Sequence, residues 1–187
     1  MNACLLVIDV QNEYFTGKLR ITHPPGSLSH VLQAMDAAHA AGIPVIIVQH
    51  SNPGPNAVTF RPGTNEYELH PDIKRRPFDM HIEKTFPGSF TNTGLETWLK
   101  EHNIDSLTIS GYMTQMCCDT TARQAFNRGY QVTFLSDATG TLSVTNSAGS
   151  VRDSDLHRAV LVTQQMKFSR VMTTMDWILS LPIDYDS

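Results

Sequence analysis

Three observations in the sequence predict an α/β fold: a three-layer α-β-α sandwich with a mostly parallel central sheet. Short strand-like runs recur along the 187 residues, at 3–10, 44–48, 106–110 and 130–135, the first of them almost continuously apolar. Segments with apolar residues at helical spacing separate them. Strands that alternate with helices in this way call for right-handed crossovers, which lay helices over both faces of a parallel sheet.

The first run, ACLLVIDV at 3–10, lacks the polar alternation of a half-exposed strand, so both of its faces are expected to be covered. A helix follows from Ser27 to Ala41. Leu28, Val31, Leu32 and Met35 share one face of it, and Gly42 supplies the stop. PVIIV at 44–48 is a second buried strand. Residues 49–91 carry Pro53, Pro55, Pro62, Pro71, Pro77 and Pro87 and show little periodicity. Regular segments on both sides read as one fold, so this stretch is expected to be a functional excursion and not a linker. Thr93-Gly94-Leu95-Glu96 has the form of a capping box, with Leu95, Trp98 and Leu99 forming the apolar stripe behind it. SLTIS at 106–110 is the third strand, and a helix from about Gln115 to Arg128 ends at Gly129. YQVTFL at 130–135 is the fourth strand. A helix near 152–166, a short strand around Arg170–Thr173 and a helix around Asp176–Leu179 complete the order. Residues 1–187 read as a single domain of ordinary size.

Composition narrows the function classes. Apolar residues make up 41% and charged residues 17%, which suits a packed globule. The net charge is −4 with no basic run, so neither nucleic acid nor an anionic membrane is expected as a partner. The apolar stretch near the start, ACLLVI, has no basic flank and no small-residue cleavage signal, so it predicts neither a signal peptide nor a membrane span. Three cysteines, two of them adjacent, make a poor disulfide framework and point to the reducing cytoplasm.

Ligands of parallel sheets sit beyond the carboxyl ends of the strands. The residues there are Asp9, Gln49-His50, Gly111 to Thr114, and Asp137. Thr114 is a good N-cap, which places Cys117 in the first turn of a helix, where amides and the helix dipole favour a thiolate. Neighbours on a helix are turned by about 100° from one another. Cys118 then shares a face with Ala122, Ala125 and Phe126, the core stripe, while Cys117 falls with Thr121, Gln124 and Arg128. Cys118 reads as a packed hydrophobe. Cys117 is either a second filler or a thiol turned to a cleft. A nucleophilic thiol needs a base and an orienting group. Asp9 closes an apolar strand, where an unpartnered acid is rare. It is either a cap, half of an ion pair or that base. Lys84 in HIEKTFPGSF could hold such an acid ionised, although most lysines are solvated.

LLVIDVQNEYF, EKTFPGSF and ISGYMTQMCCDTTARQA together resemble the three signature blocks of the isochorismatase-like cysteine hydrolases, in order and at similar spacing over nearly the whole chain. DATGT after the fourth strand resembles the family pattern too. That family includes nicotinamidases, carbamoylsarcosine amidohydrolases, and ureidoacrylate and biuret hydrolases. The resemblance implies a catalytic set of Asp9, Lys84 and Cys117. It also implies a cis peptide between Tyr112 and Met113, with an oxyanion hole made by the backbone N–H groups of Met113 and Cys117. The activity implied is hydrolysis of a carbon–nitrogen bond in an amide, ureide or carbamoyl compound through a thioester. Family members are often dimers or tetramers, so a homodimer or homotetramer is expected.

Around that set, Phe15, Phe86, Phe90 and Tyr112 either wall a pocket for a planar substrate or belong to the core. Gln11, two residues past Asp9, would point to the same side as Asp9 if the strand continued, toward Lys84 or substrate. His50 is either a substrate hydrogen-bonding group or a surface imidazole. Nicotinamidases resemble one another in an Asp-x-His metal pair after the second strand. VIIVQHSNPG has His50 with Val48 two residues before it, and His70 and His81 are too scattered to replace the missing acid. No metal, no other cofactor and no nicotinamidase activity are therefore expected. Two alternatives remain: hydrolysis of a vinyl ether of the isochorismate kind, which needs no thiol nucleophile, and a thiol redox or binding protein, for which a C-x-x-C motif is lacking.

Overall fold

The structure, a computed structural model, describes residues 2–181. In chain order its elements are β1 (Ala3–Ile8), α1 (Ser27–Ala40), β2 (Val45–His50), α2 (Pro71–Lys74), β3 (Met80–Lys84), α3 (Leu95–Glu101), β4 (Ser106–Tyr112), α4 (Asp119–Asn127), β5 (Gln131–Gly140), the hairpin β6 (Val144–Asn146) and β7 (Gly149–Val151), α5 (Asp153–Thr163), β8 (Arg170–Met172) and α6 (Thr174–Ser180). Six strands form one sheet in the order β3-β2-β1-β4-β5-β8, and every neighbouring pair is parallel.

The period-2 alternation of side chains explains the three layers. Cys4, Leu6 and Ile8 of β1, with Ile46 and Val48 of β2 and Leu107 and Ile109 of β4, meet Leu95 and Leu99 of α3 and Ala122 and Ala125 of α4. Leu5 and Val7, with Val45 and Ile47, face the other way onto Val31, Ala34 and Met35 of α1 and Trp177 of α6. Each such aliphatic side chain, fully buried, contributes roughly 1.5–3 kcal/mol of transfer free energy. Among the described residues no helix is long and apolar enough to cross a membrane.

The strand order reverses direction between β1 and β4, the switch point at which parallel sheets open a crevice beyond their carboxyl ends. Gly111, near the end of β4, makes that junction possible. Its φ is +106°, and a Cβ there would lie 2.0 Å from the Ile8 carbonyl oxygen.

The structure departs from the sequence reading in four places. The 49–91 stretch holds α2 and a full strand, β3, whose alternating exposure and charged residues mark it as a sheet edge. The capping box is not formed: Thr93 Oγ1 accepts from Leu95 N at 3.3 Å, but Glu96 pairs with Lys100 and Arg128 instead of turning back to the helix start. The fourth strand runs on to Gly140 through an irregularity opposite Ile109–Gly111, and the β6–β7 hairpin after it has no apolar pattern that announced it.

Candidate active site

Asp9 follows β1 with φ +53°, a left-handed turn that aspartate tolerates better than most residues. Lys84 ends β3 and pairs in register with His50 at the end of β2. Its strand lies two places from β1, roughly 9–10 Å away at ordinary strand spacing, so a long side chain is needed to cross. Lys84 Nζ donates to Asp9 Oδ2 at 2.7 Å and to Cys117 Sγ at 3.2 Å, and lies 3.2 Å from His50 Nδ1. Asp9 and Lys84 are 0% and 2% exposed and Cys117 is 7% exposed, so the cluster is nearly closed to bulk water. Asp9 Oδ1 has no hydrogen-bond partner among the described residues.

Cys117 reaches this point from a tight π-type turn, Thr114–Cys118, that joins β4 to α4. The Met113 carbonyl accepts from the amides of Met116 at 3.1 Å and Cys118 at 3.2 Å. The Tyr112–Met113 peptide is cis, as the resemblance implied. The Met113 N–H donates to no group among the described residues. Thr114 does not cap the helix: its hydroxyl meets His157 Nδ1 at 2.9 Å. The polar face that Cys117 shares with Thr121 and Gln124 receives the segment after Lys84. Ser89 N and Oγ lie 3.1 and 2.9 Å from Thr121 Oγ1, and Gln124 Nε2 donates to Thr91 Oγ1 at 2.9 Å. The same stripe thus anchors the segment that follows Lys84. Cys118 is fully buried among Ala122, Ala125 and their neighbours.

The electrostatics correct one expectation. The helix start does not leave Cys117 a thiolate: burial pushes its thiol well above the ordinary thiol range and the Asp9 carboxylate adds to this, against the opposing pull of the Lys84 ammonium. Burial also disfavours charge on Lys84, but the Asp9 carboxylate and the Cys117 sulfur outweigh it and hold the ammonium above its usual value. His50 is held below the ordinary imidazole range by burial, and Lys84 adds to the effect against Asp9. The resting cluster is a thiol, an ammonium and a neutral imidazole.

The remaining expected site residues separate. His50 joins the cluster through Lys84, with its ring edge-on to Phe60 at 5.1 Å. Gln11 does not reach Lys84. Its side chain donates to the carbonyls of His50 at 2.9 Å and Tyr67 at 2.6 Å and accepts from His50 N at 2.8 Å, so it fixes the backbone that carries His50. Tyr112 is fully buried on the opposite face, hydrogen-bonded to Ser27 and packed on Tyr14, and Phe15 leans on Tyr112 and His70. Phe90 belongs to the core, beside Tyr130 and under the Arg128 guanidinium. These aromatics pack the fold: the pleat of β4 turns the Tyr112 ring to the opposite face, and Phe15 and Phe90 lie in turns that fold onto the two cores. Phe86 is 48% exposed and is the one of the four left facing solvent.

One donor atom each from Asp9, His50 and Cys117 lies within 4.8 Å of the others, a cluster of a size that can hold a metal. The sequence reading, looking for an acid two residues before His50, did not anticipate it. Lys84 Nζ hydrogen-bonds into all three members, so a metal ion there would face the ammonium directly. His70 caps α2 and His81 bonds to Gln49, away from these donors. The fit to a metal is poor.

Sequence reasoning also missed His157, a buried histidine in α5, whose only signal was a polar residue on an otherwise inward-facing helix position.

A family model described as the isochorismatase domain matches residues 3–175. A crystal structure bearing that name, from Burkholderia xenovorans LB400, superposes with a TM-score of 0.94 at 44% identity, covering 96% of this chain and 87% of that one. The isochorismatase family protein YddQ of Bacillus subtilis (strain 168) is 33% identical over 175 residues, 93% of this chain and 97% of its own. Nicotinamidase 3 of Arabidopsis thaliana is 30% identical over 180 residues, 89% of this chain and 82% of its own.

Proposed function

The chain belongs to the isochorismatase family, as a hydrolase of the carbon–nitrogen bond of an amide-like small molecule, and we propose that it works by covalent catalysis through Asp9, Lys84 and Cys117. The observation that carries this reading is the Lys84 ammonium, 2.7 Å from the Asp9 carboxylate and 3.2 Å from the Cys117 sulfur, with all three residues buried.

Because the resting sulfur is protonated, the first step needs a base. Asp9 is adjacent and its Oδ1 is unengaged. Asp9 takes the thiol proton as the sulfur attacks the carbonyl carbon, and Lys84 stabilises the thiolate while it forms. The oxygen becomes an oxyanion held by the N–H groups of Met113 and Cys117. Protonated Asp9 then gives its proton to the leaving nitrogen, the C–N bond breaks, and a thioester remains on Cys117. Water, deprotonated by Asp9, attacks the thioester. The acid leaves and the proton returns to sulfur. His50, neutral and accepting from Lys84 at Nδ1, carries its proton on Nε2 and offers that N–H to a substrate acceptor. The low exposure of Cys117 supports a small substrate, and no step calls on a metal or another cofactor.

We read residues 1–187 as one catalytic domain, acting as a homodimer or homotetramer in the cytoplasm. The three free cysteines support a reducing compartment. The test of function is a screen of small amides, ureides and carbamoyl compounds for release of ammonia or amine, with Cys117→Ala as control. Release of pyruvate from isochorismate, undiminished in Cys117→Ala, would instead establish vinyl ether hydrolysis.

A further inference from the structure

The turn that carries Cys117 and Met113 is tied at its back to one buried side chain outside the catalytic cluster. His157, in α5, is 4% exposed, and Thr114, between Met113 and Cys117, is fully buried. His157 Nε2 lies 2.8 Å from the Ser136 carbonyl oxygen, and His157 Nδ1 lies 2.9 Å from Thr114 Oγ1. A carbonyl oxygen only accepts, so Nε2 carries the proton. Nδ1 is then the lone pair, and Thr114 must donate to it. The directions in this chain are fixed: strand β5, imidazole, hydroxyl, turn. Burial holds the imidazole below its ordinary range against the opposing pull of the Ser136 carbonyl, with His23 edge-on at 5.2 Å acting in the same sense as burial.

Other ties surround it. Gln115, next to Thr114, accepts from Thr141 Oγ1 at 2.7 Å, and the Thr141 backbone exchanges hydrogen bonds with His23. These hold the flank of the turn. Two backbone bonds, from Met116 and Cys118, hold the Met113 carbonyl from within the turn. Among the described residues, the His157–Thr114 bond ties the Thr114 side chain, next to Met113, the donor assigned to the oxyanion, to an element outside the turn.

We propose that His157 is a positioning residue for the oxyanion hole, acting through Thr114 to fix the direction of the Met113 and Cys117 N–H groups. The proposal rests on the covalent mechanism above. It predicts a selective defect: steps that develop an oxyanion suffer, and steps that use only the sulfur do not.

Two reagents separate these steps. p-Nitrophenyl acetate acylates the thiol: the S–C bond forms at the carbonyl, the thiol proton passes to Asp9, p-nitrophenolate leaves, and an oxyanion develops on the way. Iodoacetamide alkylates the same sulfur by displacement of iodide at a saturated carbon, with no oxyanion. His157→Phe, which keeps bulk but removes both nitrogens, and Thr114→Val, which removes the hydroxyl alone, should each slow p-nitrophenol release from Cys117 by about tenfold or more. Iodoacetamide labelling of Cys117, followed by peptide mass spectrometry, should stay within about twofold, because no oxyanion is stabilised in that step. The double variant should be no slower than the worse single one, since both cut the same chain. His157→Gln should recover most of the acylation rate: its amide holds a donor and an acceptor one carbon apart, as imidazole does.

Equal loss in both reagents would show general disorder of the turn and overturn the proposal. So would unchanged acylation in folded His157→Phe, additive losses in the double variant, or failure of Gln to rescue. If the parent protein acylates no faster than Cys117→Ala, the nucleophile itself is refuted and the proposal falls with it, a result distinct from all the others. Should Thr114→Val not fold, the comparison of His157→Phe with His157→Gln decides alone.

Discussion

Replacing Lys84 with methionine keeps an unbranched side chain of similar length and removes its charge. In the folded protein the Lys84 ammonium and the Asp9 carboxylate are 2.7 Å apart with both side chains 0% exposed. At that separation, an effective dielectric constant near 20 gives an attraction of about 6 kcal/mol. Much of this offsets the cost of taking two charges out of water, so the pair as a whole contributes little net stability. Removing one partner is different: it strands a buried carboxylate, which costs about 3–5 kcal/mol. For a chain of this size, that corresponds to a drop in melting temperature of about 6–20 °C. Asp9→Asn combined with Lys84→Met leaves no buried charge, so the double variant should melt higher than Lys84→Met alone, although neither can turn over substrate. Differential scanning calorimetry on the parent, both single variants and the double variant measures this directly. The reasoning is refuted if Lys84→Met melts within about 2 °C of the parent, a shift below 1 kcal/mol. It is refuted equally if the double variant melts no higher than Lys84→Met.

Four further outcomes follow from the same geometry. Cys117 is raised above its ordinary value, so it stays protonated where a free thiol, near pKa 8.5, has largely ionised; iodoacetamide labelling of Cys117 should therefore still be climbing steeply between about pH 9 and 10, and an early plateau would contradict the assignment. In Lys84→Met the one neighbour that lowers the thiol is gone, and labelling at a given pH should slow further. Gly111→Ala puts a methyl group 2.0 Å from the Ile8 carbonyl at a φ of +106°, so it should fail to give soluble folded protein, and a variant with parental far-ultraviolet dichroism would refute the close approach of β1 and β4. Prolonged dialysis against EDTA should leave the hydrolytic rate unchanged, and recovery of lost activity on adding zinc would instead show that Asp9, His50 and Cys117 hold a metal with Lys84 displaced.

The parts of the fold legible in the sequence are those whose burial is complete. β1 and the first four residues of β2 are apolar on both faces because helices cover both, a pattern that needs no tertiary information to read; β4 is equally buried but sets Ser106, Thr108 and Ser110 on the face opposite Leu107 and Ile109. β3 escaped because it is an edge. Met80-His81-Ile82-Glu83-Lys84 exposes alternate residues, and its one permanent charge at a buried position, Lys84, looks in sequence like any solvated lysine. The proposed catalytic residues were reached differently. Asp9 and Cys117 stand at strand ends where chemistry is expected, but Lys84 was one candidate lysine until the resemblance singled it out, since nothing local says that its ammonium crosses β2 to Asp9. The aromatics failed for a geometric reason. Phe90 and Tyr112 sit beside the site along the chain, yet the turn after β3 and the pleat of β4 direct their rings into the two cores. His50, Gln11 and His157 matter through partners 34, 39 and 43 residues distant, contacts that no local pattern encodes.

The account stands most directly on a covalent bond to one sulfur. Rapid acid quench of the parent protein during turnover of an amide substrate, followed by peptide mass spectrometry, should find the acyl group on Cys117, removable by hydroxylamine, with Cys118 unmodified. Full turnover by Cys117→Ala, or an acyl group carried only by Cys118, would contradict it.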